Sequence, residues 1–566
     1  MDSFWEKHGT KVKRFIYLVL TLAYFAYVIY AMTVEKLENE SSIRLLWMSL
    51  LGLFIFFVYV IKGRYGDKIY NVICVPIVNF ATRHFKVLKI LFMVAVAAGI
   101  VVFLIVEVAL ETPDNLLSLL GMVIYVFLLF IFSDNPAKVR WRPVIWGLAM
   151  QFAFALLVLK TSWGYEAFHW LGDRVQEFME YADEGAIFVF GDDFADHMFA
   201  FKVMPVVIFF SSTISILYYL GVMQVVILKI AWVMQRTMGT TAAESVNAAG
   251  NIFIGQTEAP LLIRPLINDM TASELHAVMV GGFGTIAGSV LATYIVFGIP
   301  ANHLISASIM AAPCALAMSK LFYPETEDSK TKEDDVDKME PSPQQNVIEA
   351  ASAGASDAIP LVANICANII AFLSLLAFVN TTLTWMGHRV GLRGPDYPEL
   401  TFQMICSYVL WPFAFIMGVA TDDCRQVAKL IGVKTFINEF VAYTDLNVII
   451  DNTDIWKDYT GEWETNVEGD IYLNDLNVTL VGGVMEDRSI VISTYALCGF
   501  ANVGSIGTVM GALGAMAPHR KDTIAALALR AMIAGNVVSF MNACTAGLLY
   551  EPSTATNSTM DATAFY

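Results

Sequence analysis

The sequence predicts an all-α integral membrane protein, and three features point there. Of 566 residues, 57% are hydrophobic and 15% charged, with mean hydropathy +0.59, too little charge for soluble domains of this length. Apolar blocks recur along nearly the whole chain instead of gathering into units joined by polar linkers. The segments between the blocks alternate between basic and acidic or neutral, the pattern that orients helices in a bilayer. A net charge of −17 argues against a nucleic-acid partner, because phosphate binding needs a basic surface. The seven cysteines (Cys74, Cys314, Cys366, Cys406, Cys424, Cys498, Cys544) are scattered, mostly in apolar stretches and without CxxC spacing. They read as side chains packed between helices, not as a disulfide framework or a zinc site.

A spanning helix needs about 20 mainly apolar residues. Phe15–Met32, Leu45–Ile61, Ile90–Leu110, Leu116–Phe132, Val144–Leu159 and Val203–Leu220 meet that need in order. The charged start before Phe15, followed by a run long enough to span, reads as a retained first helix and not a cleaved signal. Lys11, Lys13 and Arg14 precede the first span; Lys62, Arg64, Lys68, Arg83, Lys86 and Lys89 follow the second; Lys138, Arg140 and Arg142 follow the fourth. Basic loops stay cytoplasmic, so the N-terminus is expected inside. Asn39, a glycosylation acceptor by sequence, falls in an expected outside loop. The mixed aromatic and acidic stretch Tyr165–Asp192 predicts an amphipathic helix along the interface. Trp141, Trp146 and Trp163 suit interfacial anchors. Leu275–Phe297, Leu304–Phe322, Ile359–Val379 and about Thr523–Leu549 are further spans. Pro324–Gln345 reads as an acidic flexible connector, and Asp451–Asp487 as a second polar insert. His519–Lys521 suits an inside flank, which puts the C-terminal tail, with acceptor Asn557, outside.

The regular pattern breaks in informative places. Met238–Met270 holds two apolar half-runs around Gly255-Gln256-Thr257-Glu258-Ala259-Pro260, each too short to cross alone. Irregular backbone at membrane depth survives only inside protein or against a wet cavity, so a re-entrant hairpin is expected. Pro260 suits the start of the second half-helix, and Glu258 its positive end. A second hairpin is expected over Phe402–Val433, turning at Gly418–Asp423. Glu439 in Ile437–Tyr443 and the glycine-rich stretch Leu497–Gly507 follow. Hairpins in corresponding places of two halves predict a transporter built as an inverted repeat, with its site between them.

Charge at the bilayer centre is costly, so Glu258 and Glu439 are candidate site residues. Carboxylates accept hydrogen bonds from hydroxyls and base N–H groups and suit a neutral, donor-rich solute. Gln256, Thr257, Asn502 and Ser505 can donate and accept. Phe500 suits a planar base or a packed core equally. Asn251 and Thr285 offer oxygens to sodium, which the freed carbonyls of Ile254 and Ile286 would complete; Asn251 serves equally as a helix-breaking contact. Glu107 reads as interfacial and Glu244 as lying near the hairpin entry.

Gly250–Pro260 (GNIFIGQTEAP), Ile437–Tyr443 (INEFVAY) and Ala496–Ser505 (ALCGFANVGS) resemble the concentrative nucleoside transporters, with support from Phe209–Val222 and Ala311–Glu327. The resemblance covers about residues 116–550, and residues 1–115 look like the three-helix extension of animal members. It implies a homotrimer in the plasma membrane. Each protomer would have scaffold segments (116–237, 346–400) and a mobile transport domain (238–323, 401–550) moving in an elevator fashion. The acidic loop 324–345 lies between them, and the 551–566 tail lies outside. It implies that Gln256, Thr257 and Glu258 hold the base of a nucleoside such as uridine or adenosine. Glu439, Asn502 and Ser505 would hold the ribose, with Phe500 beside them and Val290 as a wall. Asn251, Ile254, Thr285 and Ile286 match the sodium ligands; sodium is the coupling ion and no cofactor is expected. Gly255 and Gln256 with Ser289 and Val290 are similar to the broadly selective pattern. A proton-coupled carrier is the alternative. A membrane enzyme or channel is disfavoured by the absence of a nucleophile–base pair, a metal cluster or a cation-lined pore motif among these residues.

Overall fold

The computed structural model describes residues 2–34, 40–69, 98–99, 102–331, 344–392, 397–467 and 469–551. Outside them fall Asn39, Cys74, Arg83–Lys89, about half of the Ile90–Leu110 span, most of the 324–345 connector, and Asn557 with nearly all of the tail. Two compact units divide at Phe103 and Leu104. Among its described residues the first holds the helices α1 (Asp2–Val34) and α2 (Glu40–Ile69), over the first two expected spans.

The second unit begins with a π-helical turn, Leu104–Ala109, which carries the half-buried Glu107. Then come α3 (Leu116–Ile131), α4 (Trp141–Leu159), α5 (Ser162–Phe190) and α6 (Met204–Tyr219). Helix α5 is the expected amphipathic helix. Its small residues Gly164, Gly172, Ala182 and Ala186 are buried, while Trp163, Trp170 and Tyr181 are exposed. Helix α7 (Val222–Met238) was not expected. Gln224, Lys229, Gln235 and Arg236 dilute its hydropathy, yet Gly221 (φ 78°) and Gly239 (φ 73°) delimit it.

The first hairpin follows as α8 (Ala242–Gly250), a turn, and a 3-10 run, Ala259–Asp269. Thr241 and Glu244 form a capping box at the start of α8, satisfying donors that would otherwise be bare. Glu244, expected near the hairpin entry, is buried there and ion-paired with Lys320. The expected span Leu275–Phe297 overlaps Ala272–Val296, which is long and apolar enough to cross a membrane, but it is not one helix. It is two helices, α9 (Ala272–Phe283) and α10 (Gly288–Val296), separated by unwound Gly284–Ala287. Its hydropathy is that of a continuous span, but the helix breaks at Gly284 and Thr285, and Gly288 just beyond the break meets the hairpin at Phe253. Helix α11 (Ala301–Phe322) is continuous, and α12 (Val347–Arg389) runs for 43 residues, far beyond the expected Ile359–Val379.

Helices α13 (Phe402–Val409), α14 (Trp411–Met417) and α15 (Cys424–Phe436) follow. The chain turns at Gly418–Asp423 as expected, with Gly418 at φ 95°. That turn does not reach the candidate site: Asp423 Oδ2 accepts from the Glu486 amide at 3.0 Å. The turn that does is Ile437-Asn438, between α15 and α16 (Glu439–Asp458). A three-stranded antiparallel sheet then fills much of the Asp451–Asp487 insert: β1 (Trp463–Thr465), β2 (Ile471–Leu473) and β3 (Val478–Leu480). A second broken helix, α17 (Asp487–Leu497) and α18 (Val503–Met516), precedes the buried α19 (Lys521–Leu549). One order of parts thus recurs: hairpin, broken helix, continuous helix. Among the described residues, seven segments are long and apolar enough to cross a membrane.

Candidate functional site

Two hairpin turns and two helix breaks meet. In the first turn, Glu258 Oε2 accepts from the Gly255 amide at 2.6 Å, and the Ala259 amide donates to the Gly255 carbonyl at 2.9 Å. The Glu258 carboxylate therefore folds back on its own turn. The Gly288 amide donates to the Phe253 carbonyl at 3.1 Å, tying this turn to the break before α10. The Phe500 amide donates to the Thr285 carbonyl at 3.2 Å, tying the two breaks together. Asn536 of α19 donates to the Ala501 carbonyl at 3.0 Å. Freed backbone is thus satisfied by other freed backbone, as burial at membrane depth requires.

In the second turn, Asn438 caps α16 by accepting from the Val441 amide at 3.1 Å. Asn502 caps α18, accepting from the Ser505 amide at 2.8 Å, while its Nδ2 donates to Glu439 Oε2 at 2.8 Å. One amide thus joins the second hairpin to the second broken helix. Lys434, fully buried, donates to the Ala496 carbonyl at 3.0 Å and to Ser539 Oγ at 3.2 Å. A cation at the C-terminal carbonyls of α17 matches the negative end of that half-helix.

These elements enclose a cavity of about 300 Å³. Gln256, Thr257, Glu258, Val290, Glu439, Phe500, Asn502 and Ser505 all line it, as does Gly255. Ser289 does not; it lines a neighbouring cavity of about 390 Å³ that shares Glu258. Asn251, Thr285 and Ile286 are buried behind the lining and Ile254 is half-buried. Asn251 stands out because neither its Oδ1 nor its Nδ2 has a hydrogen-bond partner among the described residues. Thr285 Oγ1 donates to the Gly281 carbonyl at 2.8 Å and keeps lone pairs for another ligand. A buried, orphaned amide oxygen near freed carbonyls fits a small hard cation.

Sequence reasoning missed one wall. Asp357, Leu361, Asn364, Asn368 and Phe372 of α12 also line the cavity. Their spacing of three and four residues was the available signal. Lys434 was missed too, hidden beside Arg425 and Lys429 in a short helix.

The family profile described as Na+ dependent nucleoside transporter N-terminus matches residues 120–193, the nucleoside recognition profile matches 200–301, and the Na+ dependent nucleoside transporter C-terminus matches 303–547. Solute carrier family 28 member 3 of Eptatretus stoutii is 48% identical over 96% of this chain and 76% of its own length. Sodium/nucleoside cotransporter 2 of Rattus norvegicus is 46% identical over 97% and 79%. Among solved structures, CNTnw in an inward-facing substrate-bound state matches with TM-score 0.67 and 35% identity, covering 77% of this chain and 98% of that one. An outward-facing variant of CNTnw matches with TM-score 0.68 at 35% identity, with the same coverage. Similarity of this depth, over hairpins and broken helices alike, makes the chain a membrane transporter, not an enzyme, and a member of the Na+-dependent, concentrative nucleoside transporter family.

Proposed function

We propose that the chain imports nucleosides, both purine and pyrimidine, with Na+ as the coupling ion, across the plasma membrane. One observation carries the reading: two carboxylates from two different hairpins, the half-buried Glu258 and the buried Glu439, face one cavity with Gln256, Thr257, Asn502 and Ser505. A cavity rich in acceptors and poor in cations suits a neutral guest with several N–H and O–H donors. Gln256, Thr257 and Glu258 would hold the base, Glu439, Asn502 and Ser505 the ribose, with Phe500 and Val290 as apolar walls. Asn251 and Thr285, with the carbonyls of Ile254 and Ile286, would hold Na+. Ser289, behind the lining, would tune selectivity through Gly255, Gln256 and Val290.

The Na+ gradient supplies about 2.3 kcal/mol per charge per 100 mV of membrane potential. Ion binding behind the hairpin tip would order the tip before the nucleoside arrives. Alternating access would follow the elevator pattern, the hairpins and broken helices sliding as a body within a homotrimer. Solved relatives in inward- and outward-facing states support that reading. Basic loops support a cytoplasmic N-terminus and an extracellular C-terminus. The proton-coupled alternative has no observation in its favour, and relatives at 43–48% identity carry sodium in their names.

The test is uptake of uridine, adenosine and guanosine in cells expressing the chain, with sodium or with choline at fixed pH. Sodium-dependent uptake of all three is expected, lost in Glu258→Gln and Glu439→Gln at normal surface abundance. Uptake that persists in choline would overturn the ion assignment; normal uptake by both variants would overturn the site.

A further inference from the structure

Helix α12 carries two differently used faces. Ala350, Gly354, Ala358 and Val362 recur every four residues and, with Gly387 near the far end, are its buried positions. Gly354 sits against Ser211, Ser212 and Ser215 of α6, so close that a Cβ there would fall 2.6 Å from Ser215 Cβ. The cavity face comes next around the helix: Asp357, Leu361, Asn364, Asn368 and Phe372. It runs along the cavity in a definite direction. Asp357 lines both the cavity and its neighbour together with Glu258, so it marks the first-hairpin end. Phe372 lies against Gly504, beside the amide oxygen of Asn502, so it marks the second-hairpin end. Asn364 and Asn368, one turn apart, fall between.

These two asparagines sit in the most apolar of the spanning segments, and both are exposed within the chain. Unpaired amides are disfavoured in such a setting. A third asparagine on the same helix shows the usual solution: Asn380 donates to Gln403 Oε1 at 2.9 Å and accepts from the Phe402 amide at 2.8 Å. Asn364 and Asn368 make no hydrogen bond among the described residues and face the cavity.

We infer that α12 is a specificity-determining wall of the nucleoside site: Asn368 hydrogen-bonds a ribose hydroxyl and Asn364 the base-proximal part of the guest, opposite the two hairpins. This rests on the nucleoside reading above and extends it to an element outside both hairpins. An asparagine both donates and accepts, so it can meet a hydroxyl whose own proton is directed to Glu439. As the element opposite the hairpins, α12 would release these contacts whenever the hairpins slide, so they would favour one stage of the cycle.

The experiment measures uptake KM in cells expressing the full chain, for uridine, 2′-deoxyuridine and 3′-deoxyuridine. Wild type is compared with Asn364→Leu, Asn368→Leu and Asn368→Ala, each corrected for surface abundance. Asn368→Leu is expected to raise the uridine KM about tenfold, the value of roughly one well-formed hydrogen bond. For one of the two deoxy analogues the same variant shifts KM less than twofold, because the partner hydroxyl is already missing. Asn364→Leu is expected to weaken all three guests alike. Should Asn368→Leu fail to reach the surface, Asn368→Ala is read by the same criterion. An unchanged uridine KM, or equal losses for uridine and both analogues with Asn368 replaced, overturns the contact. Failure of the nucleoside reading itself is distinguishable, since wild type would then take up none of the three.

Discussion

Asn502 performs two separable tasks, and substitution can split them. Its Oδ1 caps α18 and its Nδ2 bridges to Glu439, both at 2.8 Å. Serine is as good an N-cap as asparagine but too short to reach Glu439. Asn502→Ser therefore keeps the cap and removes one hydrogen bond to a charged group, about 1.5–3 kcal/mol. At 1.4 kcal/mol per factor of ten, Vmax/KM for uridine should fall about 10- to 140-fold. The melting temperature of the detergent-purified protein should fall by no more than the loss of that one bond allows. Asn502→Ala loses the cap as well, worth about 1 kcal/mol, and should melt at lower temperature than the serine variant. Asn502→Asp keeps the cap but sets a carboxylate against Glu439. Like charges at 4 Å repel by about 4 kcal/mol at an effective dielectric of 20, so uptake should fall further than with serine. The assay is initial-rate uptake normalised to surface protein, with a melting curve for each variant. Uptake within twofold of wild type for Asn502→Ser, or an aspartate variant as active as the serine one, would refute the bridge.

Asn251→Ala should raise the half-saturating Na+ concentration at least about tenfold in an activation curve at fixed nucleoside, because it removes the orphaned buried oxygen; an unchanged curve contradicts that role. Gly282→Ala would set a Cβ 2.8 Å from Gln256 Cβ. Overpacking of about 1–3 kcal/mol should displace the first turn and raise nucleoside KM, so a normal KM tells against it. Lys320→Met strands the buried Glu244, a loss of about 3–5 kcal/mol visible as a lower melting temperature. The double variant Glu244→Gln/Lys320→Met should recover much of it, and a double variant no more stable than the single would discount the pair.

Which parts were legible in the sequence follows from how strongly each part writes its signal. The first hairpin was legible because Gly255, Pro260 and a charged Glu258 interrupt two apolar half-runs within a few residues. The second turn was harder. Gly418–Asp423 carries strong turn chemistry and is a turn, but the one reaching the cavity is the dipeptide Ile437-Asn438, whose only marker is the capping asparagine. Helix α7 was lost because Lys229 and Arg236 lower its average hydropathy, although it packs against α8. The break in Leu275–Phe297 was invisible because glycine and threonine are not polar enough to interrupt an apolar average. The α12 wall was missed for the converse reason: Asn364 and Asn368 average away in a very apolar helix, and only their spacing betrays a face.

Each carboxylate at the centre of the cavity arrives with one oxygen engaged. Glu258 holds its own turn through the Gly255 amide, and Glu439 holds Asn502. The second oxygen of each is the one best placed to greet a guest. A molecule with donors at one end only would satisfy one acid and leave the other without a partner from the guest, so recognition here amounts to a two-point span. Inhibitors for this chamber should be drawn as rods with a donor at each tip, not as tighter copies of either half of a nucleoside.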